Sequence, residues 1–125
     1  MPTTVKDMLA AANAAVPRIS ATDAKALHDA GKAVFIDLRE PPEVAASGKV
    51  PGALPIPRGL LEFRADPESP QRDPAFQKPT VITYCASGGR AALAGKLLQD
   101  LGYSDVRNLG GFKDWTEAGG PVEPG

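Results

Sequence analysis

The chain predicts an open α/β domain: a small, mostly parallel sheet flanked by helices on both faces. Three observations carry this. Ala33–Leu38 and Val81–Tyr84 are apolar, β-branched runs, the pattern of strands buried on both faces. Helical spacings of apolar residues alternate with these runs, as crossovers between parallel strands require. The runs end in Asp37-Leu-Arg39-Glu40 and in Cys85, polar or reactive residues where open α/β sheets put their sites.

At 125 residues the chain is sized for one domain. Its net charge is −1, with acids and bases interspersed, which argues against a nucleic acid or an anionic membrane as partner. No apolar run approaches the roughly 20 residues of a membrane span. One cysteine excludes an internal disulfide and, with one histidine, the common zinc patterns, so no metal or other cofactor is expected. Such a chain fits a reducing cytoplasm.

Thr4-Val-Lys-Asp7 is a capped helix start, with Val5, Met8, Leu9, Ala12 and Val16 along one face and Pro17 as its stop. Residues 1–17 therefore form a helical extension, expected to cover apolar surface. The single domain is expected over 18–125. Arg18–Ser20 reads as a short edge strand, and Ser20 or Thr22 caps a helix that runs through Ala30 to Gly31. His28 on that helix is expected to pack, since no acid or nucleophile is linked to it. Pro41 and Pro42 open the next helix and Gly48 closes it.

Pro51-Gly52 makes a turn, and Leu54-Pro-Ile56 is at most an edge strand because of its prolines. Gly59–Arg64 is a helical turn carrying Leu60, Leu61 and Phe63. Asp66–Pro79, with Pro67, Pro70, Pro74 and Pro79, is a surface connection anchored by Phe76. Asp105–Leu109 is the last strand and Gly111–Ala118 the last helix, with Trp115 in the core. Gly110-Gly111 permits close backbone approach to the cysteine loop.

The central stretch is Thr80-Val-Ile-Thr-Tyr-Cys85-Ala-Ser-Gly-Gly-Arg90. Leu93, Leu97, Leu98 and Leu101 follow at helical spacing, and Gly102 stands at the helix's C-terminal cap. Cys85 thus lies at a strand's carboxyl end, and its loop climbs into a helix N-terminus. Backbone N–H groups of Ala86, Ser87, Gly88, Gly89 and Arg90 are expected to curl into an anion-binding nest. The helix start and the Arg90 guanidinium add to a field that favours thiolate over thiol. The motif describes a nucleophilic cysteine in an anion cradle.

Cys85-x4-Arg90 after an apolar strand resembles the active-site loop of the rhodanese family of sulfurtransferases. Asp37-Leu-Arg39-Glu40 resembles the family's strand end, and Val50-Pro-Gly-Ala53 its Pro-Gly turn. Leu101-Gly-Tyr103, Val106-Arg-Asn-Leu109-Gly-Gly111-Phe112 and Trp115 are similar to its closing segment. The resemblance covers residues 18 to 123. It implies a rhodanese-like fold with Asp37 and Arg39 beside the cysteine loop, where bracing is the expected role. It also implies a single-domain enzyme that moves a sulfane sulfur from a donor such as thiosulfate or a persulfide. Cys85 carries the sulfur as a persulfide, and an external thiol, cyanide or protein cysteine accepts it.

This chain departs from the family pattern in two places. Ala86 and Ser87 are neutral where thiosulfate-preferring members often carry cations. Lys49 stands where many relatives have histidine before the Pro-Gly turn. Two other readings keep the same fold. A cysteine-dependent phosphatase also holds a thiolate in a nest closed by arginine, but such enzymes have five residues between Cys and Arg, and here there are four. A non-catalytic interaction module is the second, yet inactive versions generally lose the cysteine. Arg90 has two candidate tasks, holding substrate or tying the loop to a carboxylate, and the sequence leaves both open.

Overall fold

The computed structural model describes residues 2–125. Four strands, β1 (Ala33–Asp37), β2 (Leu54–Pro55), β3 (Thr80–Cys85) and β4 (Val106–Gly111), form one parallel sheet in the order β2-β1-β3-β4. The helices are α1 (Val5–Ala15), α2 (Ala21–Asp29), α3 (Pro41–Ser47), α4 (Leu61–Ala65), α5 (Gly89–Asp100) and α6 (Phe112–Glu117). Short 3-10 turns lie at Arg58–Leu60 and Pro74–Gln77. Among the described residues no helix is long and apolar enough to cross a membrane.

Strand alternation divides the core into two layers. Val34 and Ile36 of β1, with Val81 and Cys85 of β3, pack with α4, α5 and Phe76. Phe35 of β1, with Ile82 and Tyr84 of β3, packs with Ala24 of α2 and with Phe112 and Trp115 of α6. Cys85 shares a face with Val81 because the two are four residues apart on one strand. That parity puts the sulfur on the α5 side, where the loop continues as α5.

The two layers are closed differently. Trp115 is fully buried, stands edge-on to Phe35 and His28, and donates its indole N–H to the Pro121 carbonyl at 2.7 Å. His28 packs against these rings, and its Nε2 donates to the Pro51 carbonyl at 2.8 Å. On the other side α5 buries Ala91, Ala92, Ala94, Gly95 and Leu98. Small residues bring α5 close to the sheet and to α1, and of the expected leucines Leu98 is buried while Leu97 and Leu101 pack against the same core. A Cβ on Gly95 would lie 2.9 Å from a methyl of Val16, so this glycine is the hole that Val16 fills.

The N-terminal helix begins as expected. Thr4 Oγ1 accepts the Asp7 N–H, and the Asp7 carboxylate accepts the Thr4 N–H. Its inward residues are Ala12 and Val16, whereas Val5 and Met8 are exposed. The expected face is therefore the inward one over its second half, with Leu9 half-buried, and only its first turn is left uncovered. The expected strand Arg18–Ser20 shrinks to one bridge between Arg18 and Asn108. Pro17 has no N–H to give, and Ser20 already caps α2 through the Asp23 N–H, so the segment has no length left for a ladder.

Candidate active site

Cys85 ends β3, which pairs with β1 on one side and β4 on the other. The β3–β4 register slips between Tyr84 and Thr83, where β4 holds one residue more. Gly110 takes φ +98 at that bulge, and the Asn108 side chain accepts its N–H at 2.8 Å. The bulge turns Gly111 toward the cysteine loop. A Cβ on Gly111 would stand 2.5 Å from the Ala86 carbonyl oxygen, and one on Gly88 would stand 3.3 Å from the Gly110 Cα. The two backbones meet in direct contact, as the glycine pair predicts.

Gly88 has φ +104 and serves as the N-cap of α5. Its left-handed conformation turns its N–H back to the Cys85 Sγ at 3.0 Å. The resting sulfur therefore accepts one loop amide, not the ring of amides expected from the sequence. The reason is depth: Sγ lies at the strand end, where the amide three residues on closes a turn over it. With no cap side chain at Gly88, the first-turn amides of α5 keep no side-chain acceptor. Cys85 itself is only 1 % exposed, while Ala86 and Ser87 are exposed. Surface clefts of about 570 Å³ and about 420 Å³ are lined by other residues and do not include Cys85.

Arg90 projects from the first turn of α5. Its Nη1 and Nη2 donate to Glu43 Oε1 and Oε2 at 2.6 and 3.0 Å, a two-point fork across 47 residues of sequence. Glu43 Oε1 also accepts the Glu40 N–H at 2.9 Å, so the carboxylate is fixed by its own helix start. The Arg90 fork and the Glu40 amide hold the Glu43 carboxyl down at about 2. Glu43 in turn keeps the Arg90 guanidinium charged above its usual range, and the nearby Cys85 sulfur adds to the effect. Of the two tasks open for Arg90, the structure contains the tie to a carboxylate. Sequence reasoning missed Glu43; its only signal was the Glu40-x-x-Glu43 spacing after Asp37-Leu-Arg39.

Asp37 and Arg39 form a buried pair on the carboxyl end of β1, with Nη2 to Oδ2 at 2.7 Å and Nε to Oδ1 at 2.9 Å. Arg39 also donates to Ser47 Oγ and to the Gly48 carbonyl, each at 2.7 Å, and its guanidinium lies 4.5 Å from the Phe112 ring centre. The pair ties α3 and the Gly48 turn to the sheet and reaches Tyr84, next to Cys85, through the guanidinium 5.8 Å from its ring. The Asp37 carboxylate holds the Arg39 guanidinium above its ordinary range, and burial pushes the Tyr84 phenol up. Lys49 donates to the Ala53 carbonyl at 2.8 Å and pairs with Glu123 at 3.3 Å, so it braces the Pro51-Gly52 turn. Among the described residues no three His, Cys, Asp or Glu converge as a metal site would require.

A buried thiol at a strand end, an αL glycine donating to it, and an arginine locked four residues beyond the loop's start form a recognisable arrangement. The family model of the rhodanese-like domain matches residues 20–118. Human thiosulfate:glutathione sulfurtransferase is 33 % identical over 112 residues, covering 83 % of this chain and 96 % of that protein. A sulfurtransferase of Allochromatium vinosum is 35 % identical over 97 residues, covering 77 % of this chain and 83 % of its own. A solved structure from Rhodopseudomonas palustris, described as a protein of unknown function and possible tyrosine phosphatase, superposes with a TM-score of 0.85. It is 44 % identical and covers 98 % of this chain and 99 % of its own. With the fold, the strand-end cysteine and the family match in agreement, this chain belongs to the rhodanese-like domain family.

Proposed function

We propose that this protein is a sulfurtransferase in which Cys85 carries a sulfane sulfur between an external donor and an external thiophilic acceptor. The observation that carries the site assignment is the Gly88 N–H aimed at Cys85 Sγ within a loop of only four residues before Arg90. In the first half-reaction the Cys85 thiolate attacks the outer sulfur of the donor. With thiosulfate the S–S bond breaks, sulfite leaves with the bonding pair, and Cys85–S–S⁻ remains. The Gly88 amide and the first-turn amides of α5 stabilise the negative charge that moves outward along the persulfide. In the second half-reaction a thiolate, cyanide or a partner's cysteine takes the outer sulfur and restores Cys85. The chain has no second cysteine, so the acceptor is external.

Glu43 and Arg90 hold α5 against α3, and Asp37 with Arg39 holds α3 against the sheet, so these four act as positioning residues. The extension expected over 1–17, of which Met1 lies outside the described residues, packs onto the domain formed by 18–125: Val16 fills the hole at Gly95, and Gln99 donates to the Ala15 carbonyl at 2.9 Å. The balanced surface and single reduced thiol fit a cytoplasmic protein.

The Rhodopseudomonas palustris neighbour brings a phosphatase reading of the same site into view. The depth of Cys85 weighs against it, because a sulfur 1 % exposed favours a reagent that presents one atom over a tetrahedral phosphoryl group. Intact mass after incubation with thiosulfate tests the proposal. Wild type gains one sulfur atom and loses it to cyanide, and Cys85→Ser gains none. Turnover of p-nitrophenyl phosphate without sulfur uptake would reverse the assignment.

A further inference from the structure

Two arginines beside the cysteine loop are each closed by a carboxylate, and a third, Arg18, is held by main-chain carbonyls. Arg39 is paired with Asp37 at 2.7 Å, and Arg90 with Glu43 at 2.6 Å. Arg18 donates to the Asn108 and Leu109 carbonyls, and it shares the space over Gly110 with Asp114: Arg18 Nη2 and Asp114 Oδ2 lie 2.5 and 3.2 Å from where a Cβ would sit. The loop residues between Cys85 and Arg90 are Ala86, Ser87, Gly88 and Gly89, all neutral. Arg90 follows the loop directly, and both its terminal nitrogens are already engaged by Glu43. An incoming donor thus meets backbone dipoles and an Arg90 whose charge is already balanced by Glu43.

We propose that Glu43 sets the donor preference of this site: by engaging the Arg90 fork it cancels the local positive charge, which favours singly charged sulfane donors over the thiosulfate dianion. The inference rests on the sulfur-transfer reading above and names the substrate class within it. Suitable donors are thiosulfonates, R–SO₂–S⁻, and alkyl persulfides, R–S–S⁻. A thiosulfonate reacts as thiosulfate does. The Cys85 thiolate takes the outer sulfur, the S–S bond breaks, and the sulfinate R–SO₂⁻ leaves with the electron pair, so total charge is −2 on each side. Methanethiosulfonate is the informative probe, because a methyl group replaces one oxyanion of thiosulfate while the reacting S–S bond stays.

Removing the Glu43 charge exposes Arg90. For charges one Debye length apart, about 8 Å at physiological ionic strength, Coulomb's law with water-like screening gives about a twofold gain per donor charge, hence about fivefold for a dianion. The test uses the full chain with cyanide as acceptor and follows kcat and KM for both donors in wild type, Glu43→Gln and Glu43→Asp. In Glu43→Gln, kcat/KM for thiosulfate rises about twofold to threefold relative to that for methanethiosulfonate. The gain appears in KM and vanishes at high ionic strength. Glu43→Asp keeps the charge and keeps the wild-type ratio.

An equal change for both donors in Glu43→Gln would mean that Glu43 only positions the loop, and the proposal would fall. Should Glu43→Gln not fold, wild type alone decides. A neutral site gives a thiosulfate KM that barely moves with salt, and a steep rise in KM with salt would overturn the proposal. Failure of wild type to take sulfur from either donor is a different result, which removes the sulfur-transfer reading itself.

Discussion

Gly111→Ala probes whether the cysteine loop is held at a fixed depth by contact with β4. The added methyl carbon would stand 2.5 Å from the Ala86 carbonyl oxygen, so ordinary contact requires the carbonyl to retreat by on the order of 1 Å. Neither partner is a flexible side chain: Gly111 is a strand residue paired with Cys85, and Ala86 is main chain next to it. Overpacking of this kind costs about 1–3 kcal/mol. Unfolding entropy of about 2.1 cal/mol/K per residue over 125 residues makes each kcal/mol worth about 4 °C, so the melting temperature falls by about 4–12 °C. The rate of sulfur loading falls as well, by up to about a hundredfold, because a shift of that size misplaces the reacting sulfur. Gly59→Ala is the control: nothing lies within 4 Å of its Cβ position, and its stability stays within about 0.5 kcal/mol of wild type. Thermal denaturation and intact-mass loading kinetics read both effects. Wild-type melting and wild-type loading in Gly111→Ala would refute the contact and the reasoning built on it.

Arg39→Met leaves the Asp37 carboxylate buried without its partner, at a cost of about 3–5 kcal/mol. Adding Asp37→Asn recovers part of that loss; urea denaturation measures both, and a single-variant cost under about 1 kcal/mol would contradict the role given to the pair. Acid titration tests the Glu43 tie. The carboxyl stands at about 2 in the folded protein against an ordinary 4.5, so between those values the unfolded chain binds more protons and stability falls as pH falls. Glu43→Gln loses less stability than wild type from pH 5 to pH 2. The difference is modest because the pair is about one-third exposed, and parallel pH curves would remove the tie.

Much of this molecule was legible one segment at a time. β1 and β3 are apolar throughout because both faces are covered, and Thr4, Ser20, Gly48 and Gly102 mark helix ends through local backbone chemistry. The cysteine at a strand end before two glycines was equally local. Lateral matters were not. The Arg90–Glu43 fork joins residues 47 apart, and no periodicity in either helix encodes it. Helix spacing understated the small residues where the neighbour is another helix: α5 buries Ala91, Ala94 and Gly95 beside Leu98, with Leu97 and Leu101 half-buried against the same core. Hydrophobic spacing reports how apolar a face is, whereas close approach rewards small side chains. Leu60 and Phe63, expected to accompany Leu61, are exposed for the related reason that the short α4 has room to bury one face only.

Glycine contacts and charge pairs at this site have separate jobs. Gly88, Gly110 and Gly111 bring main chain against main chain, and in doing so aim an amide at the sulfur. The charged residues do not compete for that task, since the pairs Asp37–Arg39 and Glu43–Arg90 are closed on themselves. Backbone dipoles are fixed by the fold and need no reorganisation as charge moves from Sγ to an outer sulfur, whereas a free arginine would also bind sulfite or sulfate. A site built this way gains transfer chemistry from geometry and keeps its electrostatic attraction for anions low. Restoring that attraction by uncovering Arg90 should therefore strengthen inhibition by sulfite along with thiosulfate binding. Sulfite inhibition constants for wild type and Glu43→Gln check this: an unchanged constant beside a lowered thiosulfate KM would show that the two anions do not share the charge, and the division of labour drawn here would be wrong.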